Sequence, residues 1–439
     1  MEIYLSAGII LLLMFLGMQV PFSFLAGTVS YIFLTGSGMA TVGPAISYAI
    51  NSPTLLAVPL FMLAGSLMEI SGIADRLIDF AGALLKRAKN GLGATIPLAS
   101  MFFGALCGSG TATVAVLGNI MVPKLEKMGW KRSYTAALLA ASGPLGYMIP
   151  PNMSAVIYAV VADCSVAALF LATVIPGVIW GVLYIVLNRF LADKWIEPVP
   201  VPQAAASGSD GSLQEESYWA GVLKAFRSSI PAFMLPVIIM GGIYGGICTA
   251  TEAGAVACVY ALLIGILFRK INVKSGFGEF VKSGKSLASI FIIFPMVAVV
   301  TRFLVINNVP QQITQALTSL SSNRYVILMM INLILFVAGL FFDASIFTLV
   351  ITPLLLPTAK LIGLDPIQLG VILFVAMGVG TITPPMAMNL FVAGRVCNVK
   401  VNDMLRPILP FLFFAAIPIL FLVTFVPQLS LWLPNLVMG

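Results

Sequence analysis

Apolar stretches cut at intervals by short polar or proline-containing breaks fill almost the whole chain. An α-helix needs roughly 20 apolar residues to cross a hydrocarbon layer, so the pattern predicts about ten spans with shorter pieces between them. Two segments carry small or polar residues in their middle: IPLASMFFGALCGSGTATVAVLGNIMVP (96–123) and VILMMINLILFVAGLFFDASIFTLVITPLLLP (326–357). After each, a helix runs into a double proline, Pro150-Pro151 or Pro384-Pro385, and a second short helix follows. Proline removes a backbone donor and disfavours helix in the residue before it, so each pair is expected to unwind a span inside the membrane. Irregular backbone at that depth persists only where it lines a cavity or a ligand site.

The two patterns belong to a repeat with a constant offset of 234 residues: Pro123 maps to Pro357, Gly129 to Gly363, Gly146 to Gly380 and Pro150-Pro151 to Pro384-Pro385. GYMIPPNMSAVIYA (146–159) answers GTITPPMAMNLFVA (380–393), whereas the outer parts of the halves match weakly, as in Pro59 against Pro295. Between the halves lies a linker with Pro198, Pro200, Pro202, an Ala/Ser/Gly run and the acids Asp210, Glu215 and Glu216. Duplicated halves around a polar linker are common in transporters, often inverted across the membrane.

Composition narrows the class. Of 439 residues, 60% are hydrophobic and 9% charged, with a mean hydropathy of +1.06, which excludes soluble enzymes and nucleic-acid binders. There is no histidine, so imidazole chemistry is excluded. Cys107, Cys164, Cys248, Cys258 and Cys397 are scattered through apolar segments without a CxxC pair, and are expected to be buried free thiols. Glu2 leads directly into apolar sequence with no basic leader, so the first segment is expected to be a retained span.

Charge sets the topology. Lys86, Arg87 and Lys89 precede segment 94–121, and Lys124, Lys127, Lys131 and Arg132 follow it. A single crossing would place a strong positive cluster on each side, whereas a re-entrant hairpin keeps both in the cytoplasm. The flanks of the second hairpin carry only Arg324 and Lys360, so it is expected to enter from the periplasmic face. Threading the other spans puts both termini outside and the linker inside. All but Arg302, Arg324 and Lys360 of the 23 cations then lie in the cytoplasm. Stretches 71–90 and 216–230 mix charge with apolar residues at helical spacing and could lie flat in the cytoplasmic interface.

The first hairpin tip, Ser109, Gly110 and Thr111, is expected to face the break that starts at Gly146. Free carbonyls and hydroxyls there suit a hard cation such as sodium, or the small residues simply permit close helix packing. The second tip repeats the arrangement with Asp343, Ala344 and Ser345 facing Gly380, Thr381 and Thr383. Asp343 is an ionisable group inside the membrane, which points to ion or substrate binding, with helix capping as the alternative. Arg302 could grip a substrate carboxylate or snorkel to the interface. Asn152, Ser154 and Asn389 are candidate substrate contacts or caps, and Glu252 in CTATEAGA suits a capping box.

The combination of GALCGSGTATVAVLG, GPLGYMIPPN, TATEAGA and GVGTITPPMAMNLFVAG resembles the large membrane subunit of tripartite ATP-independent periplasmic (TRAP) transporters, in the ion transporter superfamily. The resemblance implies an all-α elevator-type transporter with inverted repeats. The first repeat would span 1–195, with scaffold helices in 1–90, hairpin and broken helix in 94–165 and a scaffold helix in 166–195. A linker would follow at 196–217, then the second repeat at 218–439, with scaffold helices in 218–322, hairpin and broken helix in 324–400 and a last helix in 404–430. One sodium site would comprise Ser109, Gly110, Thr111 and Gly146, the other Asp343, Ala344, Ser345, Gly380, Thr381 and Thr383. Distant sodium-coupled relatives carry Ser-Asn-Thr at each tip, where this chain has Gly-Ser-Gly-Thr and Asp-Ala-Ser. Sodium is thus the implied coupling ion, with no organic cofactor. The implied partners are a separate small four-helix membrane subunit, a periplasmic substrate-binding protein and the lipid of a bacterial inner membrane. The substrate would be an organic acid such as a C4-dicarboxylate, a sialic acid or another sugar or keto acid. A standalone sodium/carboxylate symporter or antiporter is the alternative; an enzyme is not expected, because HExxH and Gly-x-Ser-x-Gly are both absent.

The hairpin topology makes a direct prediction. In a background without reactive native thiols, Lys127→Cys should react with an impermeant thiol reagent only from the cytoplasmic side, and labelling from outside would overturn the charge argument.

Overall fold

The computed structural model describes residues 2–36, 42–197, 218–342, 344–384 and 387–439. Residues 198–217 of the linker, together with Asp343 and Pro385, lie outside the described residues. The described chain is helical apart from one isolated bridge between Trp130 and Ile196, and the protein is a multi-pass membrane protein. By length and composition, seven described helices can cross a membrane, or eight if a bent pair counts as one span.

Helices α1 (Glu2–Phe15) and α2 (Val20–Thr35) pair with each other. At about 1.5 Å per residue they are some 21–24 Å long, short of a full crossing. After α3 (Val42–Ile50) comes α4 (Ala57–Ile70), extended at its start by a 3₁₀ turn. The amphipathic α5 (Ile73–Leu85) buries Ile73, Ala74, Leu77, Ile78 and Ala81. A helical hairpin follows, formed by α6 (Gly91–Cys107) and α7 (Gly110–Lys127). It begins and ends beyond the 94–121 segment marked by the sequence, because the glycines and lysines at its base are still helical. The first broken helix consists of α8 (Arg132–Ser142), α9 (Leu145–Met148) and α10 (Met153–Ala162), bent by 49° at the break. The half closes with α11 (Val166–Leu191).

The second half opens with α12 (Tyr218–Tyr244), α13 (Ala250–Leu267), α14 (Val273–Ile306) and α15 (Val309–Leu320). Residues 218–230 form no separate surface helix; they are the start of the continuous α12, whose charges mark one end of a long span. Its Phe226 and Phe233 pack on Phe80 of α5, with centroids 5.6 and 5.5 Å apart. Arg76 of α5 lies 3.5 Å above the Phe268 ring. Helices α4 and α13 run in parallel: Thr251 donates to Pro53 O at 2.9 Å, and Gly254 abuts Leu60. Thr249 and Glu252 form the capping box expected at the start of α13.

Helices α16 (Arg324–Gly339) and α17 (Ala344–Leu361) form the second hairpin, and α18 (Pro366–Thr381) and α19 (Met388–Cys397) the second broken helix. In place of one last helix over 404–430, the chain forms α20 (Val401–Phe411), a π-helical turn at Leu412–Ala416, α21 (Ile417–Phe425) and α22 (Gln428–Met438). Pro407 and Pro410 lie just ahead of that turn, and prolines disturb the helical ladder.

The halves interlock through their broken helices. Past its break α10 packs on α17, the second leg of the other half's hairpin, and α19 packs on α7 in the same way. Helix α18 is buried on every side over Gln368–Gly380, as a helix in the centre of a bundle must be. Its Gln368 amide donates to Val423 O at 3.0 Å and Thr424 O at 3.1 Å, while Asn332 of the hairpin donates to Thr424 Oγ1 at 3.0 Å. This buried network ties the second hairpin to the core.

Polar contacts inside membrane proteins are worth about 0.6 kcal/mol on average and up to about 1.7. Asn332→Leu should therefore lower resistance to unfolding in a detergent titration by an amount in that range. No loss would show that the network contributes nothing to the anchoring of the hairpin.

Candidate functional site

Four helix ends converge at the first hairpin tip. Helix α6 ends at Cys107, Gly108 turns the chain with φ +59°, and Ser109 caps α7 by accepting from the Ala112 amide at 3.4 Å. Opposite, α9 stops at Met148, and Asn152 caps α10 by accepting from the Ala155 amide at 2.7 Å. The approach is close enough to require glycine. A Cβ on Gly108 would lie 3.0 Å from Pro151 O and 3.1 Å from Asn152 Cα. One on Gly146 would fall 2.5 Å from Thr113 Oγ1 and 2.8 Å from Ser109 O. Ser109, Gly110, Thr111 and Gly146 are thus brought together, with the Ser109 and Thr111 hydroxyls 3.4 Å apart. Helix C-termini bring partial negative charge and free carbonyls, N-termini partial positive charge. An oxygen-rich cation pocket and an anion-binding edge can therefore coexist at one tip.

The second tip repeats this geometry. A Cβ on Gly380 would stand 2.4 Å from the carbonyl carbon and oxygen of Gly339. The counterpart in the first half is Gly104 against Gly146, where the added Cβ would lie 2.6 Å from Gly146 Cα. Thr381 donates to Gly378 O at 2.9 Å and Thr383 to Val379 O. Ala344 and Ser345 begin α17, whereas Asp343 lies outside the described residues. A mostly apolar cavity of about 170 Å³ opens at this tip, lined by Gly339, Phe341, Phe342, Thr381 and Met388, with Met14 and Val20 of the first two helices opposite.

The substrate candidates separate. Asn152 is fully buried, and its amide nitrogen has no hydrogen-bond partner among the described residues. Ser154 is buried in the first turn of α10. Asn389 is buried and reaches across to the first half: its amide donates to Thr381 Oγ1 at 3.2 Å and lies against Gly143. Arg302 is exposed near the end of α14, beside the Phe303–Tyr31 ring pair, and among the described residues no hydrogen bond or ion pair joins it to either tip. Tyr147, Thr113, Gly104 and Gly339 were absent from the sequence candidates. Tyr147 answers Thr381 in the repeat, so its place was readable; the one-residue shift between Gly104 and Gly339 hid that pair.

Broken helices and paired hairpins embedded in a helical bundle are the architecture of a membrane transporter. The chain belongs to the family described as the tripartite ATP-independent periplasmic transporter DctM component, whose model matches residues 7–429. It is therefore a large permease component and not an enzyme. It is 35% identical to the C4-dicarboxylate TRAP transporter large permease protein DctM of Pseudomonas aeruginosa over 87% of this chain and 86% of that one. It is 33% identical to the sialic acid TRAP transporter large permease protein SiaM of Vibrio cholerae over 97% of both. Among solved structures, the Alcanivorax borkumensis YdaH transporter shares the fold with a TM-score of 0.58, at 15% identity, over 88% of this chain and 87% of that one.

The glycine contacts predict a contrast. At Gly380 an added methyl meets backbone, which cannot swing aside, whereas at Gly118 it meets only side chains, Val396 Cγ1 at 2.6 Å and Leu139 Cδ1 at 3.5 Å. Overpacking of this kind costs about 1–3 kcal/mol. Gly380→Ala should destabilise the purified protein and abolish uptake, and Gly118→Ala should cost less stability and spare uptake. Equal behaviour of the two variants would refute the backbone contact.

Proposed function

We propose that this chain is the large subunit of a sodium-coupled importer of an organic acid in a bacterial inner membrane. The observation that carries the proposal is the matched pair of helix-end clusters, each pressed against a glycine of a broken helix. Related permeases named for C4-dicarboxylate and sialic acid support a carboxylate substrate. In the proposed mechanism the halves are inverted repeats, with re-entrant hairpins from opposite faces, periplasmic termini and a cytoplasmic linker. Sodium at the first tip is held by oxygens of Ser109 and Thr111 and by carbonyls around Gly110 and Gly146. Helix C-termini supply the partial negative charge there, so no carboxylate is required. The second sodium is held near Ala344, Ser345, Gly380, Thr381 and Thr383, with Asp343 supplying a full charge. The substrate carboxylate lies against the amides of Asn152 and Asn389 and the Ser154 hydroxyl, where helix N-termini favour an anion. Arg302, exposed in the structure, takes an interfacial role in this reading and not a substrate contact. The interlocked hairpins and broken helices move as one body in an elevator step against a scaffold built from residues 1–90, 166–195 and 218–322. A separate small membrane subunit braces that scaffold, and a periplasmic binding protein delivers the substrate.

Uptake of radiolabelled organic acids into proteoliposomes tests this, with and without an inward sodium gradient, adding the small subunit and the binding protein separately and together. Uptake should need sodium and both partners. Accumulation by this chain alone would make it a standalone symporter. Asp343→Asn should weaken the sodium dependence at least tenfold, the loss of about 1.4 kcal/mol of binding, while the protein stays folded. Unchanged kinetics would remove Asp343 from the site.

A further inference from the structure

Two residue pairs in the core touch across the halves at the repeat distance itself. Tyr147 Oη lies 3.4 Å from Thr381 Oγ1, 234 residues away. A Cβ on Gly378 would lie 3.0 Å from Pro144 Cβ, the same number of residues away. In a duplicated chain a residue can touch its own counterpart only on the axis that relates the halves. That axis therefore passes between α9 and the end of α18, through the middle of the paired tips. Position 147/381 is also where the symmetry breaks chemically, with an aromatic phenol facing a short hydroxyl.

We infer that the Tyr147–Thr381 contact couples the two ion sites, making Tyr147 a positioning residue that transmits occupancy from one hairpin tip to the other. The inference rests on the two-sodium reading proposed above. The Tyr147 ring lies against the first residue of α7: a Cβ on Gly110 would stand 2.9 Å from Tyr147 Cε1. Any shift of the α7 start on ion binding therefore moves the ring. Its hydroxyl, the donor in this pair because the Thr381 proton goes to Gly378 O, meets Thr381 at the end of α18. Thr381 in turn accepts from Asn389 at 3.2 Å, so the same hydroxyl orients a buried amide beside the break. Between Gly110 of one site and Thr381 of the other stands one side chain, buried at 5% exposure. Coupling through so short a path has a discrete element to act on: the phenol either reaches Thr381 or does not. Tyr147 touches neither ion in this arrangement, so its removal acts on the coupling and not on ligand number.

The test uses sodium alone as the probe. The large permease is purified with its small subunit, and its thermal unfolding is followed while sodium replaces choline at constant ionic strength. With two coupled sites, stabilisation should rise with a Hill coefficient near ~2 in the unmodified protein, the limit set by site number. Tyr147→Phe keeps the ring and removes the hydroxyl. It should leave the unfolding temperature without sodium unchanged, lower the Hill coefficient toward ~1 and split the titration into two midpoints at least about fivefold apart. If Tyr147→Phe does not fold, Tyr147→Met makes the same deletion with a more adaptable side chain. Thr381→Ser keeps the hydroxyl and should keep the steep titration. No sodium effect on the unmodified protein would remove the sodium reading, and this inference with it. A shallow titration of the unmodified protein, or an equally steep one in Tyr147→Phe, would overturn the coupling and leave the sodium reading standing.

Discussion

Helix ends placed inside an apolar slab dictate most of this structure. Each end leaves backbone donors or acceptors that neither lipid nor a neighbouring apolar side chain can satisfy. At the first tip Ser109 and Asn152 cap the helices that begin there, and the tip is pressed against the broken helix so closely that a methyl group would not fit at Gly104, Gly108 or Gly146. Gly339 and Gly380 impose the same closeness on the second half. These glycines are therefore conditions for burying the breaks, and the breaks are what bring free backbone polar atoms into an apolar bundle.

The bends then determine how the halves associate. A straight continuation of α8 would keep α10 within its own half; the 49° turn sends it onto α17, while α19 crosses to α7. Each tip is therefore lined from both halves, as Asn389 against Gly143 demonstrates. Displacing one hairpin alone would strip the other half's broken helix of its packing partner.

Much of this was legible in the sequence because it rests on residues with strong backbone preferences. The double prolines, Gly146 and Gly380 announced the breaks and their repetition, and Ser109 to Thr111 announced the first tip. Other features left no local trace. The crossing of α10 onto α17 is a long-range packing choice between equally apolar faces. Charges over 216–230 suggested a surface helix, but from residue 218 on they mark only the end of α12, since a long span carries its interfacial charges in the same helical register as its apolar part. Arg302, which stands in an apolar run and suits either a substrate carboxylate or the interface, has its side chain exposed near the end of α14.

The near-symmetry of the core also bears on why the two tips differ chemically. A duplicated transporter with identical tips would bind the same ion twice with the same strength, and neither half would be distinguished as binding first. Here the first tip offers hydroxyls and carbonyls, whereas the sequence places a carboxylate at the second, and the counterparts on the axis are a phenol and a threonine. A full charge binds a cation more strongly than helix-end dipoles do in a medium of low dielectric. In the two-sodium reading proposed above, that asymmetry would order the two binding events on one shared backbone geometry. Divergence of side chains on a retained glycine framework is the economical route to such ordering, because the framework tolerates no change at the contacts and any change at the ligands.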